Sequence, residues 1–183
     1  RLEGAIARQA PGDTGEAFAV LFMDIDQLKL INDSLGHASG DALLCEVSRR
    51  LGAQIGPEDV LSRISSDEFV AMLGTTGEAA AIEAVARRMS DAVAAPIRLA
   101  DQEVNVTMTM GIATYPRDGS RADDLLSHAD AAMYQCKRTG RGRFEFFAPW
   151  MNERAERRLA IESDLRRAIQ QGELILYYQP KVS

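Results

Sequence analysis

Side chains that carry acid in close succession suit metal and phosphate chemistry, and two short stretches of this sequence carry them. Residues 63–73 read Arg-Ile-Ser-Ser-Asp-Glu-Phe-Val-Ala-Met-Leu. Small polar residues and two carboxylates between apolar runs form the pattern of a β-hairpin whose tip is residues 65–68. Adjacent acids repel one another there unless water or a cation relieves them, and a solvated turn is the ordinary fate of an isolated Asp-Glu pair. The second stretch, Phe22-Met23-Asp24-Ile25-Asp26, ends an apolar run with two further carboxylates. If both strand ends lie in one sheet, they offer hard oxygen donors of the kind Mg²⁺ takes.

The neighbouring residues must supply that sheet. Residues 17–23 are continuously apolar, follow a loop at residues 11–15, and predict a buried central strand. Leu28, Ile31 and Leu35 recur at helical spacing with Gly36 as a stop. Lys29 and Asn32, three apart, then become neighbours on the helix surface. A second helix is expected over residues 40–55, with Leu43, Leu44, Val47 and Leu51 inward. Residues 77–95 predict a third helix and residues 122–139 a fourth. Residues 97–99 and 104–115 predict a strand pair, with Gly111 a bulge or a close approach; residues 144–147 predict a closing strand. Leu2 and Ile6 suggest a short helix at the start. The element order is that of an α+β fold, with helices against a largely antiparallel sheet. From Met151 the chain turns densely charged with a thin apolar stripe, as in a helix bridging two domains. Gly172 ends it, and residues 174–178 begin a strand.

The chain has 183 residues, 46% of them apolar, enough for one core. Twenty-one Lys and Arg against 27 Asp and Glu give a net charge of −6, which argues against nucleic acid as partner. Cys45 and Cys136 have no metal or redox spacing and read as buried or idle thiols in a reducing compartment. No apolar run spans a bilayer and no signal peptide is visible. A first residue other than Met and an end inside an expected strand suggest a piece of something longer. The expectation is a cytoplasmic domain, with any membrane or sensor segment elsewhere.

Taken in order, Asp24-Ile25-Asp26-Gln27-Leu28-Lys29, Ile31-Asn32-Asp33, Gly36-His37, Gly40-Asp41, Asp67-Glu68-Phe69 and Thr109-Met110-Gly111-Ile112-Ala113 resemble the GGDEF domain of the diguanylate cyclase family. Ala129-Asp130-Ala131-Ala132-Met133-Tyr134 and Lys137-Arg138-Thr139-Gly140-Arg141 complete that resemblance, which covers residues 1–149. Leu165-Arg166-Arg167-Ala168 and Tyr178-Gln179-Pro180-Lys181-Val182 resemble the start of an EAL phosphodiesterase domain. These resemblances imply a GGDEF domain over residues 1–149, a linker helix over 150–172 and a truncated EAL start over 173–183. They imply a ferredoxin- or palm-like nucleotidyl cyclase architecture with a mostly antiparallel central sheet. The implied partners are GTP, with Mg²⁺ or Mn²⁺ as cofactor, the chain's own EAL domain, and a second copy across the GTP-facing surface. The family joins two GTP molecules into cyclic di-GMP, the 3′-hydroxyl of one attacking the α-phosphorus of the other. On that resemblance Asp24, the Ile25 carbonyl and Asp67 match the metal ligands, and Asp67 the proton acceptor. Lys29 matches a group that stabilises the transferring phosphoryl charge, Asn32 and Asp41 the guanine readers, and Lys137 and Arg141 the triphosphate clamp.

Each of these residues also has a plain structural reading. Asp41 in a helix's first turn is a dipole partner, Asn32 a cap, and residues 137–143 a solvated basic turn. His37 reads as a packed loop histidine and His128 as a helix-surface one. The chain departs from the family signature at Ser65 and Ser66, where two glycines stand ahead of Asp67, Glu68 and Phe69. A left-handed backbone at Ser65 would cost about 1–2 kcal/mol, and the Ser66 side chain would crowd the nucleotide. The family's inhibitory product site matches Gly56-Pro57-Glu58-Asp59, with the Asp kept and the Arg missing. Three readings follow: a domain that binds GTP and regulates its EAL neighbour, a working cyclase, and a scaffold without nucleotide.

Overall fold

The computed structural model describes residues 17–74, 78–99, 101–175 and 177. The chain divides into two compact units, Arg1–Ala148 and Pro149–Ser183. The helix expected at Leu2 and Ile6 lies outside the described residues.

In the first unit, strand β1 (Phe18–Ile25) is followed by helices α1 (Leu28–Leu35) and α2 (His37–Gly52). The hairpin strands β2 (Val60–Arg63) and β3 (Glu68–Leu73) lead to helix α3 (Ala79–Ala94). A small ribbon, β4 (Ile97–Leu99) with β5 (Gln102–Val104), precedes β6 (Met108–Tyr115), α4 (Ala122–Thr139) and β7 (Phe144–Phe146). The main sheet runs β2-β3-β1-β6-β7. All its pairings are antiparallel except β6 with β7. This is the α+β fold, a central sheet flanked by helices, that the sequence predicted.

The apolar run 17–23 becomes the central strand because it is covered on both faces. Ala19, Leu21, Met23 and Ile25 join Leu43, Val47 and Leu51 of α2 and Ile82 and Met89 of α3 in one core. On the opposite face α4 lies directly on β6 at Gly111. A Cβ there would stand 1.9 Å from the Ala129 carbonyl oxygen and 2.2 Å from the Met133 nitrogen. Gly111 is therefore a close approach rather than a bulge, since the register runs through it from Phe22 to Glu145. That contact sets the height of α4 and brings its last turn to the end of β1.

Several expectations are corrected. The strand predicted over 104–115 is two strands, because Thr107 leaves the ladder to serve Asp26 with its carbonyl and its hydroxyl. Helix α2 begins at His37, where Gly36 at φ +83° turns the chain sharply. Asp41 thus sits past the first turn, and His37 is exposed rather than packed. His128 is half-buried, its ring stacked on Phe147 at 4.1 Å and its Nδ1 2.5 Å from the Asp118 carbonyl oxygen. Cys45 is exposed and Cys136 buried.

The second unit carries α5 (Trp150–Gln171), closed by Gly172 at φ +68°. Of the strand expected at 174–178, residues 174, 175 and 177 have no regular structure, and the others lie outside the described residues. No helix among the described residues is long and apolar enough to cross a membrane.

Candidate functional site

The two acid-bearing strand ends meet. Asp24 pairs in register with Glu68 of β3 and Thr109 of β6, and the Ile25 N–H donates to the Asp67 carbonyl at 3.0 Å. Asp24 is buried at 8% exposure, and the Lys137 ammonium reaches its Oδ2 at 2.6 Å. Burial pushes the Asp24 carboxyl above the ordinary carboxylate range. The hydrogen bond and charge of Lys137 oppose that shift without cancelling it, and the charges of Asp67 and Asp26 add to it.

At the hairpin tip Asp67 and Glu68 are half-buried. Ser66 Oγ donates to Asp67 Oδ1 at 2.8 Å, and Ser65 Oγ to Glu68 Oε2 at 2.9 Å. The Arg63 guanidinium donates to the Ser65 and Ser66 carbonyls at 3.0 and 2.9 Å, closing the tip over its own backbone. Neither serine takes a left-handed backbone. Among the described non-glycine residues only Gln27 does, at φ +63°, where strand turns into helix. The condition for strain at Ser65, a left-handed backbone, is not met, and both hydroxyls bond within the tip.

A second group lies on α1 and α2. The Asn32 side chain rests against Gly40, where a Cβ would stand 1.8 Å from its Oδ1. Asp41 is next in sequence and exposed. Glycine at 40 is what lets the Asn32 side chain rest against the first turns of α2. Lys29 is exposed in the first turn of α1. No side-chain hydrogen bond or ion pair among the described residues engages Lys29, Asn32 or Asp41, which leaves their polar atoms open to a ligand.

The last turn of α4 and the turn at residues 140–143 supply the cations. Lys137 engages Asp24, and Arg141 Nε lies 3.7 Å from Asp26 Oδ1. The sequence offered Asp26 only as the second acid of this strand end, with no role of its own. It is buried and takes hydroxyl donors from Thr107 at 2.7 Å and Thr109 at 2.9 Å, and the Gly142 N–H at 3.1 Å. Arg63, which shapes the tip, was likewise missed. The signal for Asp26 was its place two residues from Asp24 on the same strand end; for Arg63, a cation set two residues before the tip.

Among the described residues no three His, Cys, Asp or Glu side chains are placed to hold a metal by themselves. Two carboxylates and a carbonyl nonetheless fit Mg²⁺ or Mn²⁺ when phosphate oxygens complete the shell, which is how Mg²⁺ is commonly held. The Lys137 ammonium against Asp24 shows that the strand end accepts a cation.

A model of the family described as diguanylate cyclase, GGDEF domain, matches residues 1–143. The chain belongs to the GGDEF family. The bifunctional diguanylate cyclase/cyclic di-GMP phosphodiesterase MucR of Pseudomonas aeruginosa is 40% identical over 182 residues, which are 100% of this chain and 26% of MucR. The cyclic di-GMP phosphodiesterase PdeR of Escherichia coli is 37% identical over 164 residues, 90% of this chain and 25% of PdeR. The chain thus spans about a quarter of the length of these relatives. The solved GGDEF domain of TpbB from Pseudomonas aeruginosa shares 35% identity, with a TM-score of 0.80 over 85% of this chain and 90% of that one. The sheet and the crossing of α4 over it are therefore those of a GGDEF domain.

Proposed function

We propose that this GGDEF domain binds GTP with Mg²⁺ and regulates an attached EAL phosphodiesterase domain within cyclic di-GMP signalling. The observation that carries the reading is the division of the site. Asn32 and Asp41 keep their polar atoms unengaged among the described residues and Lys137 and Arg141 lie beside Asp24 and Asp26, while the signature carboxylate Asp67 is bonded by Ser66. Asp41 can accept both the ring N–H and the exocyclic amine of guanine, a pair adenine does not offer. Lys137 and Arg141 suit phosphate oxygens, and Lys137 moves from Asp24 to the phosphate as ligand enters. A bound Mg²⁺ supplies charge neutralisation at the phosphates beside Asp24, the Ile25 carbonyl and Asp67. The EAL partner is supported by the sequence of residues 165–182 and by MucR and PdeR, whose names include a phosphodiesterase.

A working cyclase is the second reading, favoured by the unstrained backbone of Ser65 and Ser66. Two copies would then face each other with one GTP each. Asp67 would take the proton from the attacking 3′-hydroxyl, Lys29 would offset charge on the transferring phosphoryl group, and pyrophosphate would leave. Titrating GTP and ATP into the chain with and without Mg²⁺, while assaying cyclic di-GMP, separates the readings. Mg²⁺-dependent binding of GTP in preference to ATP, with little product, is the expected result. No GTP binding at millimolar concentration removes the nucleotide-binding reading, equal ATP affinity removes the role of Asp41, and rapid product formation makes the chain a cyclase.

A further inference from the structure

We propose that Asp26 is a positioning residue for the phosphate-binding end of the site. Its buried carboxylate fixes the turn at residues 140–143, and through it the Arg141 guanidinium, against the strand end that carries Asp24. The inference rests on the GTP-binding reading above.

Asp26 does not itself reach a ligand, since only 2% of its side chain is exposed. Its bonds point inward instead, and they join three elements. The Asp26 N–H donates to the Thr107 carbonyl at 2.9 Å, so β1 and the start of β6 are joined through backbone as well as side chain. Thr109 Oγ1 lies 2.9 Å from both carboxylate oxygens. The Gly142 N–H is shared between Asp26 Oδ2 and Thr109 Oγ1, each at 3.1 Å. Lys137 needs no such anchor, because α4 holds it. Arg141 lies beyond the helix end, between Gly140 at φ +147° and Gly142 at φ +72°. Both are backbone states that glycine alone visits freely, so the turn owes its position to its tertiary bonds. Those are the Arg143 carbonyl, which accepts from the Met110 N–H at 3.0 Å and from Cys136 Sγ at 3.4 Å, and the Gly142 N–H, held by the Asp26 carboxylate and Thr109 Oγ1. A buried carboxylate is costly unless fully bonded, and beside the Thr107 and Thr109 hydroxyls the turn gives Asp26 its Gly142 N–H and the Arg141 guanidinium.

If Asp26 merely staples β1 to β6, its loss lowers stability and acts independently of Arg141. If it works through Arg141, the two effects overlap, because removing the guanidinium removes what the anchor positions. The test is a double-mutant cycle of GTP affinity in Mg²⁺ by calorimetry, on the parent, Asp26→Asn, Arg141→Ala and both together. Asn keeps the volume, but its NH₂ must take the place of the oxygen that faces either the Gly142 N–H or Arg141, so one of these two contacts is lost and the charge with it. Each single change is expected to weaken GTP about tenfold, the strength of one charge-assisted bond. The double variant is expected to be weakened by the same tenfold, with the GTP-to-ATP preference intact because Asn32 and Asp41 are untouched. A roughly hundredfold, additive loss in the double variant overturns the inference, as does an Asp26→Asn chain with parent affinity. Should Asp26→Asn fail to fold, Thr109→Val, which deletes a single hydroxyl donor, enters the same cycle. A parent chain that takes up no GTP ends the functional reading and this inference together. A binding parent with an additive cycle ends this inference alone.

Discussion

At the end of β1, Asp24 and Asp26 are buried and take their partners from far along the chain: Lys137, Thr107, Thr109 and Gly142. At the hairpin tip, Asp67 and Glu68 are half-buried and take theirs from within three residues, Ser66 and Ser65. Both regions present two acids to one sheet, yet one is organised by tertiary structure and the other by its own turn. A change at the strand end should therefore act across the site, whereas a change at the tip should act on the tip. Within the strand end the acids differ again. Asp26 is bonded on both oxygens, while Asp24 has one cation, Lys137, and burial that disfavours its charge.

The largest effect expected from this contrast is that of Asp24→Asn. Losing one of few anionic oxygens should weaken Mg²⁺-dependent GTP binding about a hundredfold, or about 2.7 kcal/mol. The free fold should not suffer. The environment of Asp24 favours its neutral form, and Lys137, a quarter exposed, can turn to water. Calorimetry should record the lost affinity while the melting temperature holds or rises. A clear drop in melting temperature with unchanged GTP affinity would make Asp24 a structural acid and erase its difference from Asp26.

At the tip the expected change is smaller and of opposite sign. Ser66→Gly frees an oxygen of Asp67 and clears space beside the nucleotide, so cyclic di-GMP formation should rise about tenfold, or about 1.4 kcal/mol of barrier. Ser65→Gly should do less, because its hydroxyl bonds Glu68 rather than Asp67. GTP affinity should barely move in either case. The assay needs a range of protein concentrations so that two domains can meet. If Ser65→Gly matches or exceeds Ser66→Gly, the hydrogen bond to Asp67 is not what restrains the tip.

The same contrast explains what the sequence made legible. Periodicity was enough for β1, α1 and α4, since burial decides those elements and burial is written in apolar spacing. The resemblance to GGDEF domains named Lys137 and Arg141, and the structure sets both among the acids of β1. Spacing did not show that Thr107 would leave the strand to bond Asp26, for that depends on an acid 81 positions away. Nor could spacing say which backbone Ser65 would take: strain there depended on a left-handed turn, and this hairpin, held by Arg63, turns without a positive φ. Asn32 and Asp41 could be matched one by one, but the close approach of Asn32 to Gly40 announced itself only as contact geometry.

The base of the hairpin sharpens the comparison by behaving like neither end. Asp59 accepts from the Gly56 N–H at 2.7 Å and from the Gly74 N–H at 2.9 Å, so it ties the entry of β2 to the exit of β3. In a product site of the family kind this carboxylate would work with a guanidinium three residues earlier, where this chain has Gly56. With its oxygens already taken by backbone and no ion pair to it among the described residues, Asp59 should serve the fold alone. Asp59→Ala should cost about 0.5–1.5 kcal/mol for the lost hydrogen bonding, read as a melting temperature lower by a few degrees. Cyclic di-GMP binding should be weak before the change and no weaker after it. If the parent instead forms a tight cyclic di-GMP complex that Asp59→Ala loosens, the carboxylate serves a ligand, and the hairpin's base joins its tip as part of the nucleotide surface.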